Sequence, residues 1–245
     1  VCLSSVAPLV KEICFHVLGD PLAHPHLLEF LDRAHEEGSC VVLTTAGHLL
    51  TQEKFPLLVH PAVKQVNVSL SSFEVNAQRE TLREYLSRQA LFAIYAKEDK
   101  PDLYINWRLW NQGKKESEPF TQEVLAFVEE RFGVFPTTLK KSFPIFGRFY
   151  LHFERRFEWP SLDLSPFQTE GFCHGLKNQF GILVDGTVVP CCLDAKGAIA
   201  LGNIRETPLE EILSSPRAVA MREGFKAKKL VEPLCQTCGY IQRFT

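Results

Sequence analysis

Cysteines dominate the end of this 245-residue chain. Five of its eight cysteines follow residue 170, at positions Cys173, Cys191, Cys192, Cys235 and Cys238. The segment from Phe180 to Val189 alternates around Asp185-Gly186, which predicts a β-hairpin with a two-residue turn that returns Cys191 toward Cys173. Cys235 and Cys238 form a CxxC pair, and two thiolates at that spacing can bind one metal centre. These four thiolates are therefore the candidate ligands of one site.

Cys192 is the remaining thiol of this group. Adjacent residues on an extended strand point to opposite faces, so Cys192 is expected to point away from the site that Cys191 faces. Disulfides are disfavoured because no signal peptide marks the chain as secreted. The spacing alone leaves structural zinc and an iron–sulfur cluster as alternatives.

Composition limits the function classes. The formal net charge is −2, so the chain has no excess positive field for nucleic-acid binding. No apolar run approaches a membrane span, and a cytoplasmic location without a membrane partner is the default expectation. Cys2, Cys14 and Cys40 are expected to be small buried thiols of the core.

The first part of the chain alternates short apolar runs with helical periodicity, which predicts βα units and a parallel sheet. Pro160, Ser161, Ser165 and Pro166 indicate a linker, so we place a domain boundary near residue 165, giving domains 1–165 and 166–245. The predicted strands are Ile13–Leu18, Cys40–Thr45, Gln65–Leu70, Leu103–Trp110 and Phe149–Phe153, and the predicted helices are Ser4–Lys11, Pro25–Glu37, Thr51–Val59, Asn76–Lys97 and Glu118–Phe132.

The cysteine-rich tail resembles the SPASM/twitch domains of radical S-adenosylmethionine (SAM) enzymes. The matching features are Cys173, Asp185-Gly186, Pro190-Cys191, Leu201-Gly202-Asn203-Ile204 and the closing Cys235–Cys238. Between the last two, Thr207-Pro208-Leu209-Glu210 predicts a capping box with proline at the first helical position. The resemblance implies one auxiliary [4Fe-4S] cluster held by Cys173, Cys191, Cys235 and Cys238, and it favours iron over zinc.

The earlier segment also resembles this family. Leu18-Gly19-Asp20-Pro21 stands where these enzymes usually have Gly-Gly-Glu-Pro, the segment that accepts the ammonium group of SAM. An acidic side chain and strand-end carbonyls can accept the hydrogen bonds of an ammonium group, and glycine lets the ligand approach the backbone closely. Ser69 resembles the serine that reaches the SAM ribose, and Arg108 the arginine aimed at the SAM carboxylate. A strand-end serine and a structural arginine are the alternatives for these two residues.

The resemblance implies a partial (β/α) barrel followed by a small cysteine-rich α+β domain. It also implies that the full-length protein is an enzyme that cleaves SAM to a 5′-deoxyadenosyl radical, which abstracts hydrogen from a substrate. It further implies a flavodoxin-type or reductase electron donor and a peptide as the default substrate. The defining CxxxCxxC of the catalytic [4Fe-4S] cluster is absent from these residues, and we expect it before Val1. The alternatives are a non-catalytic adaptor with a zinc- or cluster-stapled tail, and an unrelated barrel enzyme using Asp20 and His24 in acid–base chemistry.

Overall fold

A computed structural model describes residues 2–76 and 80–244. The chain divides into two compact units: residues 7–156 form one, and residues 157–244 together with 2–6 form the other. Among the described residues, no helix combines the length and the apolar character needed to cross a membrane.

Within residues 2–76 and 80–244, nine strands form two sheets. The first unit has a six-stranded sheet in the order β1-β2-β3-β4-β6-β5, parallel except for β5. The second unit has a three-stranded antiparallel sheet, β7-β8-β9. The strands are β1 (Glu12–Phe15), β2 (Cys40–Thr45), β3 (Val63–Ser69), β4 (Tyr104–Gln112), β5 (Ser142–Phe146), β6 (Phe149–Arg155), β7 (Gly181–Ile182), β8 (Thr187–Val189) and β9 (Gly202–Asn203).

The described helices connect these strands. Short 3₁₀ turns at 21–23, 52–54, 70–72 and 115–117 follow strand ends or precede helices, and one at 239–244 ends the described chain. The α-helices are α1 (Cys2–Val6), α2 (Leu27–Glu36), α3 (Phe55–Leu58), α4 (Phe73–Asn76), α5 (Leu82–Asp99), α6 (Glu118–Phe132), α7 (Leu209–Leu213), α8 (Pro216–Lys226) and α9 (Pro233–Gln236).

The order of the parallel strands determines where the helices lie. Crossovers between parallel strands are right-handed, so strands that follow one another in a single direction place every crossover helix on the same face. That face is apolar: Leu43, Val66, Ile105 and Phe149 pair in register across it, and all are almost completely buried. The opposite face is left for polar side chains.

Most element predictions are confirmed within a few residues, and some are wrong. The capping box predicted at Thr207–Glu210 does not form, since Pro208 is itself the N-cap of α7 and no side chain caps that helix. A capping box occurs instead at Thr81 and Glu84, where α5 begins. The predicted helix Ser4–Lys11 is wrong because α1 ends at Val6.

The start predicted for the long helix at Asn76 falls elsewhere. Asn76 ends α4, residues 77–79 lie outside the described residues, and α5 begins at Leu82. The antiparallel strand β5 was not predicted. Cys14 and Cys40 are exposed rather than buried, since Cys14 lies at the edge strand of the sheet and Cys40 at the start of β2, while the side chain of Cys2 lies outside the described residues.

Candidate functional site: five thiols and a polar sheet face

The hairpin of the second unit brings Cys191 back beside Cys173, as the sequence predicted. Gly181 pairs with Val189, and a Cβ added at Gly175 would lie 3.3 Å from the Pro190 carbonyl oxygen and 3.6 Å from Cys173 Sγ. A side chain at residue 175 would push the Pro190 carbonyl back by a few tenths of an ångström. The chain around Cys173 is therefore packed directly against the segment that carries Cys191.

The turn of this hairpin differs from the prediction. Leu183 N–H donates to the Thr187 carbonyl and Gly186 N–H donates to the Leu183 carbonyl, so the loop contains three residues. Gly186 has a φ of +93°, the left-handed conformation that closes a three-residue hairpin loop. The two-residue Asp-Gly turn was therefore wrong, although the hairpin itself forms.

The thiols of the second unit interact electrostatically. Burial raises the pKa of Cys235, and the charges of Cys191, Cys173 and Cys238 raise it further. Burial likewise raises the pKa of Cys191 to about 12, with smaller contributions from Cys192 and Cys173. Thiolates crowded in a buried site repel one another, and a bound cationic metal centre removes that penalty. The site is therefore chemically suited to a metal centre.

Backbone N–H groups point at three of the four predicted ligands. The Gly175 N–H donates to Cys173 Sγ at 3.3 Å. Equivalent amides two residues downstream, those of Leu193 and Tyr240, lower the pKa of Cys191 and Cys238. Hydrogen bonds to ligand sulfurs orient them and tune the bound metal.

Strand geometry does not turn Cys192 away from the site as predicted, because β8 ends at Val189 and neither adjacent cysteine lies on an extended strand. Cys192 also lies near the other thiols, since the charge of Cys173 raises its pKa and its own charge raises that of Cys238. Amides of downstream residues act on Cys173, Cys191 and Cys238, whereas the causes that shift the pKa of Cys192 and of the predicted ligand Cys235 include none. The amides therefore do not separate ligands from other thiols, and the choice of Cys191 over Cys192 stays a prediction.

The five thiols lie near one another without being tightly gathered. Among residues 2–76 and 80–244, no three His, Cys, Asp or Glu side chains are grouped as closely as a single metal ion requires.

In the first unit, Asp20 connects two strand ends. Its Oδ1 accepts from Leu22 N–H at 3.0 Å, and its Oδ2 accepts from Thr45 Oγ1 at 2.7 Å and from Ala46 N–H at 2.9 Å. A carboxylate has about four acceptor positions, so these bonds leave capacity for one more donor. The predicted ammonium acceptor thus has a structural role as well.

Gly19 and Pro21 flank Asp20 at the start of a 3₁₀ turn. Gly19 has a φ of +92° with open space where a Cβ would be, and Pro21 begins the 3₁₀ turn. Ser69 ends β3, and its carbonyl accepts from Ser72 Oγ at 2.6 Å; Ser69 pairs in register with Arg108 of β4. The Arg108 guanidinium lies 5.0 Å from the centre of the Trp110 ring.

The loop after β2 is held by the helix behind it. The Ala46 carbonyl accepts from Tyr85 Oη at 2.8 Å, and the Gly47 carbonyl accepts from Gln89 Nε2 at 2.9 Å. Gly47 has a φ of +81°, and a Cβ there would lie 2.6 Å from Tyr85 Oη. This packing fixes Thr45 and Ala46 for their bonds to Asp20.

Sequence reasoning missed a chain of polar side chains across the helix-free face, which we call the polar ladder: Thr44, Gln65, Asn67 and Asn106. Asn67 Nδ2 donates to Thr44 Oγ1 at 3.2 Å, while Asn67 Oδ1 accepts from Gln65 Nε2 at 2.8 Å and from Asn106 Nδ2 at 3.0 Å. Asn67 is 1% exposed and Asn106 8%. The alternation of polar residues in β3 and β4 was the available signal.

His152 on β6 continues the polar ladder. Its Nε2 lies 2.9 Å from Asn106 Oδ1, and it pairs in register with Arg108. Burial lowers the pKa of His152, and the positive charge of Arg108 lowers it further; the same two causes lower the pKa of His16. Both histidines are therefore neutral beside a permanent cation at neutral pH.

Comparison with known proteins assigns the tail and the fold. Residues 173–239 match the SPASM family, described as an iron-sulfur cluster-binding domain. No curated protein sequence matches the chain.

Solved structures resemble the whole chain at low identity. An open conformation of BtrN has a TM-score of 0.55 at 15% identity, covering 96% of this chain and 75% of BtrN. The enzyme anSMEcpe with bound AdoMet has a TM-score of 0.59 at 15% identity, covering 99% of this chain and 76% of that one. SuiB from Streptococcus suis has a TM-score of 0.56 at 15% identity, covering 97% of this chain and 62% of SuiB. The chain thus has the fold of radical SAM enzymes, with a SPASM iron–sulfur domain at its C-terminal end.

Proposed function

We propose that this chain is the body of a radical SAM enzyme, which cleaves SAM reductively to a 5′-deoxyadenosyl radical and abstracts hydrogen from a bound substrate. The observation that carries the proposal is the convergence of Cys173, Cys191, Cys235 and Cys238 within a domain of the SPASM family. SAM cleavage needs three further thiolates in a CxxxCxxC, which these 245 residues do not supply.

Each part of the chain has a separate task in this proposal. Cys173, Cys191, Cys235 and Cys238 hold the auxiliary [4Fe-4S] cluster, which when bound supplies one-electron chemistry or a site for substrate. Asp20 accepts the ammonium group of SAM, with Gly19 and Pro21 shaping the approach, while Ser69 and Arg108 take its ribose and carboxylate. The protein's contribution is to orient SAM and exclude water.

Solved neighbours support two substrate classes. SuiB has been crystallised with the precursor peptide SuiA, and BtrN with AdoMet and 2-DOIA. A peptide substrate for this chain remains the default that the SPASM domain suggests.

Metal analysis of the anaerobically purified chain tests the tail. We expect about four iron and four sulfide per chain with a broad visible absorption, as for a [4Fe-4S] cluster. Cys191→Ala should lose most of the iron, whereas the matched variant Cys192→Ala should keep it. A colourless protein with one zinc would contradict the cluster, and equal losses in both variants would contradict the choice of Cys191.

SAM calorimetry tests Asp20. Asp20→Asn removes the charge that faces the ammonium group, and we expect affinity to fall about ten- to a hundredfold, the equivalent of about 1.5–3 kcal/mol. Thr45→Val is the matched control, since it removes a partner of Asp20 and keeps the carboxylate. If both variants weaken SAM equally, Asp20 acts only by holding the loop after β2.

A further inference from the structure

Arg217 links two segments of the tail that carry predicted cluster ligands. Its Nε and Nη2 donate to the two carboxylate oxygens of Glu232, at 2.7 and 2.8 Å, and its Nη1 donates to the Ala200 carbonyl at 3.1 Å. We propose that Arg217 is a positioning residue of the auxiliary [4Fe-4S] cluster, which holds the CxxC pair against the segment after Cys191 and balances the charge of Glu232 beside the thiols. The inference rests on the cluster proposed for the tail.

Glu232 begins the helix that carries the CxxC pair. It is the N-cap residue of α9, and its carbonyl accepts from Cys235 N–H at 3.0 Å and from Gln236 N–H at 3.3 Å. The side chain of Glu232 is only 12% exposed. A bidentate, charge-assisted bond to this carboxylate therefore fixes the end of α9 that lies next to Cys235.

Ala200 ends a segment that is bonded back to Cys191. The Cys191 carbonyl accepts from Asp194 N–H at 3.3 Å. The Asp194 carboxylate in turn accepts from the N–H groups of Ala198 and Ile199, at 2.8 and 2.7 Å, and Asp194 is 2% exposed. Because these bonds hold the segment together, a contact at Ala200 restrains the position of Cys191.

The shape of the guanidinium lets one side chain reach both segments. It presents five N–H donors in one plane, so it can bind both oxygens of a carboxylate and a carbonyl at the same time. The Arg217 side chain thereby joins Ala200, which precedes it by 17 positions, to Glu232, which follows it by 15. The two segments carry Cys191 on one side and the CxxC pair on the other.

The charges of this ion pair also lie beside the thiols. Burial is the main cause that raises the pKa of Cys235, and the charge of Glu232 adds to those of the other thiols in raising it. Arg217 carries a permanent positive charge that offsets Glu232. Reduction adds one electron to an iron–sulfur cluster, so a nearby positive charge favours reduction and a negative charge disfavours it.

Redox titration and iron release of the anaerobically purified chain test the proposal. Arg217→Gln should lower the reduction potential of the cluster, Glu232→Gln should raise it, and the double variant should return close to the unmutated value. Both single variants break the same ion pair, so loosening of the tail alone would shift the potential in one direction. Release of iron to a chelator should be about three- to tenfold faster in each single variant, the range of one hydrogen-bonded pair at a partly exposed site.

Arg217→Lys separates the effect of position from that of charge. Lysine keeps the positive charge but lacks the planar fork. The potential should therefore stay near that of the unmutated chain, while iron is released faster. Glu223→Gln and Lys226→Gln are the matched controls, since this ion pair lies within α8 with its side chains 62% and 71% exposed, and neither variant should change the potential or the release of iron.

Two results would overturn the inference in a chain that binds its cluster. One is a shift of both single variants in the same direction, or no shift in either, and the other is iron release that matches the unmutated chain. If Arg217→Gln does not fold, Glu232→Gln and Arg217→Lys decide the same questions. An unmutated chain without iron would contradict the proposed function of the tail and this inference together, whereas unchanged variants of an iron-loaded chain contradict the inference alone.

Discussion

The buried thiol of Cys191 should be almost unreactive in the metal-free chain. Its pKa lies at about 12 instead of 9.0, chiefly because the surrounding protein excludes water from the thiolate. Only thiolates react readily with alkylating reagents. In the folded chain without metal, the rate at which Cys191 is alkylated therefore measures how strongly the surrounding protein raises its pKa.

The expected size of the effect follows from these two values. A pKa that is higher by three corresponds to about a thousandfold less thiolate at neutral pH, and to about 4 kcal/mol at 1.36 kcal/mol for each factor of ten. Cys191 should thus be alkylated about a thousandfold more slowly than an ordinary thiol. The metal centre must offset a cost of that size when it binds the thiolate.

Isotope-coded iodoacetamide and peptide mass spectrometry measure this rate. Cys14 and Cys40 are exposed in the same chain and act as internal references. In denaturant all thiols should react at similar rates. If Cys191 in the folded, metal-free chain reacts within about tenfold of Cys40, the described burial of the site is wrong.

Two further predictions concern the first unit. Gly47→Ala should lower the free energy of unfolding in urea by about 2–4 kcal/mol, because it adds left-handed backbone strain and a clash with Tyr85 Oη. Gly38→Ala is the control: its φ is +70° and the space around it is open, so it should cost only about 1 kcal/mol. Equal losses would show that the clash is absent. Hydrogen bonding to Arg88 is the largest cause that lowers the pKa of Glu80, so Glu80 stabilises the fold above its ordinary pKa of 4.5 and this contribution is lost as the pH falls through its folded value. Glu80→Gln should therefore lower stability at pH 7, and the loss should shrink as the pH falls below 4.5, while Glu130→Gln, in an exposed ion pair, should change little across this range; an equal loss at every pH would contradict the electrostatic origin.

Strands and the longest helices followed from local patterns. The strand Cys40–Thr45 and the helix Glu118–Phe132 were predicted with the bounds that the structure has. Both have a clear signal within their own segment, a continuous apolar run in the strand and helical periodicity in the helix. The capping box failed because Pro208 competes with Thr207 for the cap position, and both choices obey local rules. The added residue in the hairpin loop likewise depends on pairing between strands rather than on Asp185-Gly186 alone.

By itself the sequence determined which residue types are available for a metal site and for SAM: thiols at CxxC spacing, a glycine-acid-proline turn after a strand, and alternating polar residues in two later strands. Tertiary structure decided how these side chains are used. Asp20 acquired its bonds from Thr45 and Ala46 only when the ends of β1 and β2 met, and Cys235 came under the charges of Cys191 and Cys173 only when the hairpin and α9 packed together. The hydrogen bond between His152 and Asn106 likewise joins two strands. Each of these contacts joins residues distant in the chain, and such contacts are set by how strands and helices pack rather than by the local sequence.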